Sequence, residues 1–235
     1  MSSTDPTEPE FGDTWVYESI VGAIPGLSLS PAAAVALQFA GFECAVLVLA
    51  WIYGAWEAAI AGTVAVAVAA AGSAAMLDLG TRVRDLDSPA PYRRLLFGSS
   101  IEVVLGMLAY VALLTYLFVL DPRDGATLVG DLLGEDPPLP AAYLLLLIAW
   151  DVCYRIGTGW WAAVAALYRS TRFSFDPATA RGFRRLDLRT AGFALVQVAL
   201  LPPLFSHPLL AVAVGGHVIA VWVVVAASVW SLSRP

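Results

Sequence analysis

Six side chains that can bind protons, ions or hydrogen-bond partners fall inside stretches apolar enough to cross a bilayer: Glu43, Glu102, Asp151, Arg155, Gln197 and His217. A charge in hydrocarbon costs several kcal/mol unless it is paired, so ionisable residues placed there mark a functional site by default. Asp151 and Arg155 stand four residues apart and share one helix face, close enough to pair. The guanidinium has five donors in a rigid fork and can reach a second carboxylate. The sequence therefore predicts an Asp151–Arg155–Glu102 network in the interior of a helix bundle. Counting residues from the helix ends at ~1.5 Å each places Glu43, Asp151 and His217 in one layer near the midplane and Glu102, Arg155 and Gln197 in a second layer nearer one face. Glu43 brings a carboxylate without a matching cation, which makes it a candidate proton or cation site. The competing interpretation is structural: a buried charge network fixes helix register with nothing passing through it.

The elements that must hold these residues are transmembrane helices. Hydrophobic residues make up 59% of the chain and charged ones only 14%, against roughly 25% charged in a soluble domain. The apolar residues fall in blocks of about 20, the length that spans hydrocarbon. Ser30-Pro31 reads as a helix start, and six spans are expected at about 31–53, 58–79, 95–120, 140–168, 188–205 and 209–232. The fold class is all-α, a polytopic bundle of six transmembrane helices in residues 31–235. Residues 1–30 form a cytoplasmic N-terminal segment, in which Asp13–Ile24 reads as a short interfacial helix. Gly157 and Gly159 either unwind the fourth span beside its charges or pack against the Ala-rich second helix.

Orientation follows from the arginines. All 13 basic residues are Arg. Arg82, Arg84, Arg93, Arg94, Arg169, Arg172, Arg181, Arg184, Arg185, Arg189 and Arg234 fall on one side of the predicted bundle, with Arg123 alone on the other. The positive-inside rule then puts both termini in the cytoplasm. Residues 1–10 lack the basic and apolar regions of a secretory signal, so the first span is expected to direct insertion. The two Arg-rich loops, 80–94 and 169–187, would attract anionic lipid head groups. They also share a weak repeat: Thr81-Arg82, Asp87 and Tyr92-Arg93-Arg94-Leu95 recur as Thr171-Arg172, Asp176 and Phe183-Arg184-Arg185-Leu186.

Several chemistries are excluded. A net charge of −6 argues against nucleic acid as a partner. With no Lys, a retinal Schiff base is impossible. Cys44 and Cys153 supply neither a disulfide framework nor a zinc site. Asp121-Pro-Arg-Asp124-Gly125-Ala resembles the opening of the metal-binding motif of membrane alcohol phosphatidyltransferases, but the downstream aspartates are missing and the segment lies in a loop. No nucleophile elbow, phosphate loop, metalloprotease helix or dinucleotide turn is present, and no cofactor or metal is expected. His207 and Pro202-Pro203 read as parts of a turn.

The stretches TWVYESIVGAIPG, YRRLLFGSSIEVVLG and WDVCYRIGTGWW resemble a family of haloarchaeal multi-pass membrane proteins of unknown function. That resemblance implies six helices and no particular activity. The leading expectation is a small transporter or channel-like protein with Asp151, Arg155, Glu102 and Glu43 at its centre. The alternative is a non-catalytic membrane subunit or scaffold whose charges lock helices or meet a partner. The bilayer is the expected surrounding, with a homo-oligomer or membrane partner also compatible.

Overall fold

The computed structural model describes residues 14–15, 30–123, 125 and 127–234. The described chain is helical: α1 Pro31–Tyr53, α2 Trp56–Asp85, α3 Ala90–Gly98, α4 Ile101–Thr115, α5 Leu128–Leu133, α6 Leu139–Arg172, α7 Pro177–Val196 and α8 Pro208–Ser231. Five stretches are long and apolar enough to cross a membrane: α1, α2, residues 90–123, α6 and α8. Large apolar side chains such as Trp51, Ile60, Leu108, Val212, Ile219 and Val223 lie exposed along them. Apolar surface on that scale is what a lipid-facing belt presents.

Local chemistry sets the helix ends. The Ser30 hydroxyl accepts from Ala33 N at 3.2 Å, Pro31 fills the first turn, and Gly54 closes α1 in the left-handed region at φ 69°. A break follows α3, where Ser100 takes φ 52° and the Ser99 hydroxyl meets Ile101 N at 3.4 Å. The predicted third span is thus two helices. Beyond α4, Tyr116–Leu120 widens into a π-turn, a local unwinding often found at functional positions.

α6 is the hub, 34 residues long and packed against every other described helix. It stays helical through Gly157 and Gly159, so the charges sit on an unbroken helix. The close packing there is against α4, not the predicted α2: a Cβ on Gly157 would come within 2.5 Å of Gly106 N and 2.9 Å of Gly106 Cα. α2 approaches α6 elsewhere, at Gly72, where a Cβ would lie 2.8 Å from Arg155 Cβ and Cγ.

The segment 188–205, predicted as the fifth span, is the second half of a longer element. α7 begins eleven residues earlier, inside the expected loop, and continues as 3-10 turns over Gln197–Leu200 and Pro202–Leu204. Arg181, Arg184, Arg185, Asp187 and Arg189 keep α7 out of the apolar class. It nonetheless runs antiparallel beside α8: Arg184 Nη2 donates to Leu232 O at 2.5 Å, Ser228 Oγ donates to Asp187 at 2.8 Å, and residues 205–207 join their other ends. The bundle therefore has an Arg-rich end, formed by the α2–α3 and α6–α7 connections, and an acidic end, formed by residues 121–138 and the α7–α8 turn.

The predicted interfacial helix lies outside the described residues except at its start. Trp15 is fully buried at the Arg-rich end, donating its indole N–H to Met76 O at 3.0 Å and meeting Phe97 edge-on at 5.0 Å. Met76, Tyr92, Leu96, Trp161 and Phe183 complete that core.

Candidate functional site

Half of the predicted network forms. Arg155 Nη2 lies 3.0 Å from Asp151 Oδ1, with the guanidinium almost fully buried. Arg155 Nη1 also points at Met76 Sδ, 3.0 Å away, and Gly72 makes room for its stem. The second carboxylate oxygen of Asp151 accepts from Gln38 Nε2 at 2.5 Å. Gln38 Oε1 in turn accepts from the buried Ser73 hydroxyl at 2.9 Å. One chain of polar contacts thus ties α1, α2 and α6 together. A void of about 10 Å³ adjoins Gln38 and Asp151, room for about one water.

Glu102 does not join this network. Its side chain is fully buried, and neither carboxyl oxygen has a hydrogen-bond partner among the described residues. It rides on the first turn of α4, after the Ser99–Ser100 break that a continuous third span did not anticipate. Gln197 is likewise buried at the start of the 3-10 turn, with its amide unpartnered among the described residues. Glu43 accepts from the Thr63 hydroxyl at 2.8 Å, joining α1 to α2, while its Oε2 has no described partner. His217 stands beside the Trp160 ring, centroids 6.2 Å apart, with Nε2 unpartnered among the described residues. The two predicted layers therefore dissolve into separate sites. Asp151 is level with Gln38, and Glu43 sits five residues, ~7.5 Å, further toward the acidic end.

That end holds a cavity of about 590 Å³, within the ~300–1,000 Å³ of small-molecule pockets. Its walls are mostly Ala, Leu, Val, Ile and Gly from α1, α2, α4, α5, α6 and α8, joined by Cys153, His217 and Tyr116. Its lining runs along α6 from Ala141 to Ile156, ~22 Å by helical rise. Among the described residues no carboxylate lines it. Leu120 and Leu209, both exposed, stand at its rim.

A polar cluster caps the same end. His207 is buried, with Nδ1 3.0 Å from Asp121 Oδ1 and Nε2 3.1 Å from Asp131 Oδ2. The Tyr116 hydroxyl donates to Asp121 Oδ1 at 2.8 Å, and Leu128 N donates to Asp121 Oδ2 at 2.6 Å. The π-turn aims Tyr116 inward, and Pro202-Pro203 bend the chain so that His207 meets it. Sequence reading assigned His207 to an idle turn because its partners lie 76 and 86 residues away. The signal available was composition: a lone His beside an acidic loop.

The second overlooked cluster lies at the Arg-rich end. Arg169 Nη2 meets both oxygens of Asp187, at 2.9 and 2.8 Å, with both side chains buried. The guanidinium lies 4.1 Å from the Phe183 ring centroid and 5.2 Å from that of Tyr92. Tyr92 and Phe183 are the equivalent aromatics of the sequence repeat, and they meet edge-on at 6.2 Å. Arg169, read from sequence as a loop charge, is a structural centre of the bundle.

Comparison with known proteins gives one family and nothing further. No curated protein and no solved structure matches the chain. A family match extends over residues 10–228, taking in every described helix up to the last turn of α8. Its length and helical content accord with a multi-pass membrane protein, and the chain belongs to the family of unknown function DUF7530.

Proposed function

We propose that this protein is a six-span protein of the cell membrane, with both termini cytoplasmic, that shelters one apolar chain from the bilayer in the cavity at its acidic end. The observation that carries this reading is the cavity itself: about 590 Å³, walled by aliphatic side chains, with its rim at lipid-facing Leu120 and Leu209. Spread along ~22 Å of α6, such a volume suits a single lipid chain better than a hydrated solute. Count and orientation rest on the antiparallel course of α7 beside α8 and on the arginine bias between loops. In this reading Asp151, Arg155, Gln38 and Ser73 fasten α1, α2 and α6, and the Arg-rich loops meet anionic head groups.

The test is photocrosslinking with a diazirine-bearing fatty acid in vesicles. Label is expected on residues lining the cavity, and it should fall at least about tenfold in Ala149→Trp, which fills the space. It should persist in Leu147→Trp on the exposed face of the same helix. Label confined to lipid-facing residues, or indifferent to Ala149→Trp, would refute the assignment.

One observation favours a second reading. Glu43 keeps one oxygen without a described partner in mid-helix, which suits a proton or cation site in a small transporter that also uses Asp151, Arg155 and Glu102. Proton or cation flux in proteoliposomes that disappears in Glu43→Gln at matched folded levels would establish it.

A further inference from the structure

A second cavity opens toward the Arg-rich end, between α2, α6 and α7. It holds about 290 Å³, and its walls include Gly72 and Ala75 of α2, Gly159 and Ala162 of α6, and Leu186 and Phe193 of α7. Glycine and alanine on two facing helices leave the gap that larger side chains would fill. Phe193 closes the inner end: its ring would lie 2.8 Å from a Cβ on Gly72 and 3.5 Å from one on Gly159. From Gly72 to Leu79 this slot follows α2 for ~10 Å by helical rise.

The outer end is charged. Asp78 of α2 and Arg189 of α7 both line the slot, and Arg189 Nη1 donates to Asp78 Oδ2 at 2.6 Å, joining the two helices. Arg82, one turn beyond Asp78, donates its Nε to Asp78 Oδ1 at 2.7 Å. All three side chains are partly exposed.

We propose that this slot is a binding site for one anionic membrane lipid, with its head group on Arg82 and Arg189 and the upper part of one acyl chain between α2, α6 and α7. This rests on the reading that sets the Arg-rich end at a head-group surface, and it narrows that general attraction to one built site. It does not depend on what fills the cavity at the acidic end.

Charge and geometry select the head group. Two guanidiniums against one carboxylate leave a net positive mouth. Each oxygen of Asp78 already accepts from an arginine, so the carboxylate holds both forks in place. Arg82 spends only Nε, which leaves its Nη1–Nη2 edge. Arg189 spends only Nη1, which leaves its Nε–Nη2 edge. Neither edge has a partner among the described residues. Two parallel N–H groups on one edge match two oxygens of a phosphate. A choline head group would bring its own cation against this positive mouth. The chain follows from what lies behind the arginines. A charged mouth continuous with an apolar slot has the shape of an amphiphile, not of a free anion. Leu188, beside Arg189, and Leu195, two turns further along α7, are exposed and set this side of the helix against lipid.

The test uses the full chain in phosphatidylcholine vesicles doped with a photoactivatable lipid that carries a diazirine near the head-group end of one chain. The probe is either phosphatidylglycerol or phosphatidylcholine, and labelled residues are mapped by mass spectrometry. Ala162, inside the slot, is expected to take about fivefold more label from the phosphatidylglycerol probe, the preference that one arginine at a membrane surface gives. Leu188 should be labelled by both probes alike. Arg82→Gln and Arg189→Gln, both at exposed sites, should each abolish most of the preference at Ala162. Arg181→Gln should leave it intact, because that arginine meets only Pro177 O at the start of α7. Ala75→Phe, which fills the slot with both arginines in place, should remove label from Ala162 and spare Leu188. Equal labelling of Ala162 by the two probes overturns the site, as does a preference that survives both arginine variants or is lost equally in Arg181→Gln. A preference removed by millimolar glycerol phosphate also overturns it, since the arginines would then take a soluble anion without a chain. If Leu188 takes no label from either probe, the head-group placement of this end falls together with the site. If Leu188 is labelled and Ala162 is not, the placement stands and the site alone falls.

Discussion

Replacing Gly157 by alanine tests the contact that sets α4 against the central helix. The added Cβ would lie 2.5 Å from Gly106 N, 2.9 Å from Gly106 Cα and 3.0 Å from Leu105 C. All three are backbone atoms, so no side chain can rotate away. Ordinary contact begins near 3.4 Å, so the helices must part by about 1 Å, loosening packing along the α4–α6 seam. Overpacking of this kind costs about 1–3 kcal/mol. The better helix propensity of alanine returns about 1 kcal/mol. A net loss of up to about 2 kcal/mol is expected, or up to about 8 °C in thermal midpoint for a chain of this size.

Two comparators make the measurement specific. Gly159 lies two residues away on the same helix, and its Cβ would meet only the Phe193 ring at 3.5 Å. Gly216 on α8 has nothing within 4 Å. Gly159→Ala and Gly216→Ala should unfold at or slightly above the wild-type temperature in the same detergent. If Gly157→Ala matches Gly216→Ala, the α4–α6 seam is not the tight backbone contact described, and the placement of Tyr154 against Gly106 of α4 falls with it.

Two further predictions concern the Arg-rich end. Arg169→Met should destabilise the protein by about 3–5 kcal/mol in denaturant titration, because it strands a buried carboxylate; adding Asp187→Leu should restore most of that loss, and a double variant as unstable as the single would refute the pairing. Asp176 caps α7 through its contacts with Ala178 N at 2.8 Å and Thr179 N at 3.2 Å. The Thr179 side chain and these backbone donors hold its carboxyl below the ordinary value. The cap therefore stabilises fully above the unfolded value of ~3.9 and is lost as pH falls through the lower folded value. The gap in thermal midpoint between wild type and Asp176→Ala should be constant from neutral pH to about pH 5 and close below about pH 4; a gap unchanged at the acid end would remove the carboxylate from the cap.

What the sequence made legible was set by periodicity and by neighbours along one helix. Pro31–Tyr53 was read to the residue because Ser30, Pro31 and Gly54 mark its ends locally. Asp151–Arg155 was legible for the same reason: four residues on one helix fix their separation whatever the rest of the chain does. Glu102 failed as their partner because its height depends on the break at Ser99–Ser100, which a run of apolar residues conceals. Gln38 met the criterion that selected Gln197, a polar side chain in an apolar helix, yet its role depends on α1 passing beside α6, which no local pattern records. α7 was misjudged because Arg and Asp within it looked like loop residues. Arg169 and Asp187 neutralise each other inside the bundle, and hydropathy counts each as a cost without seeing the pair.

The polar residues of this bundle differ less in burial than in what would happen if one partner left. Arg169–Asp187 joins α6 to α7, and Asp151–Arg155, both on α6, are tied to α1 and α2 through Gln38 and Ser73; in each pair the released arginine would be left charged in the interior. Such pairs are costly to break, and so serve as fasteners. His207 is as buried as these, but one of its two acids reaches water, so that contact is exchanged for hydration at little cost. It also sits beside α5, three of whose leucines line the apolar cavity. A half-exposed contact beside an apolar space is cheaper to exchange for water than a pair sealed in the interior. That contrast, and not the presence of charge in the membrane as such, separates the acidic end from the other polar sites of the bundle.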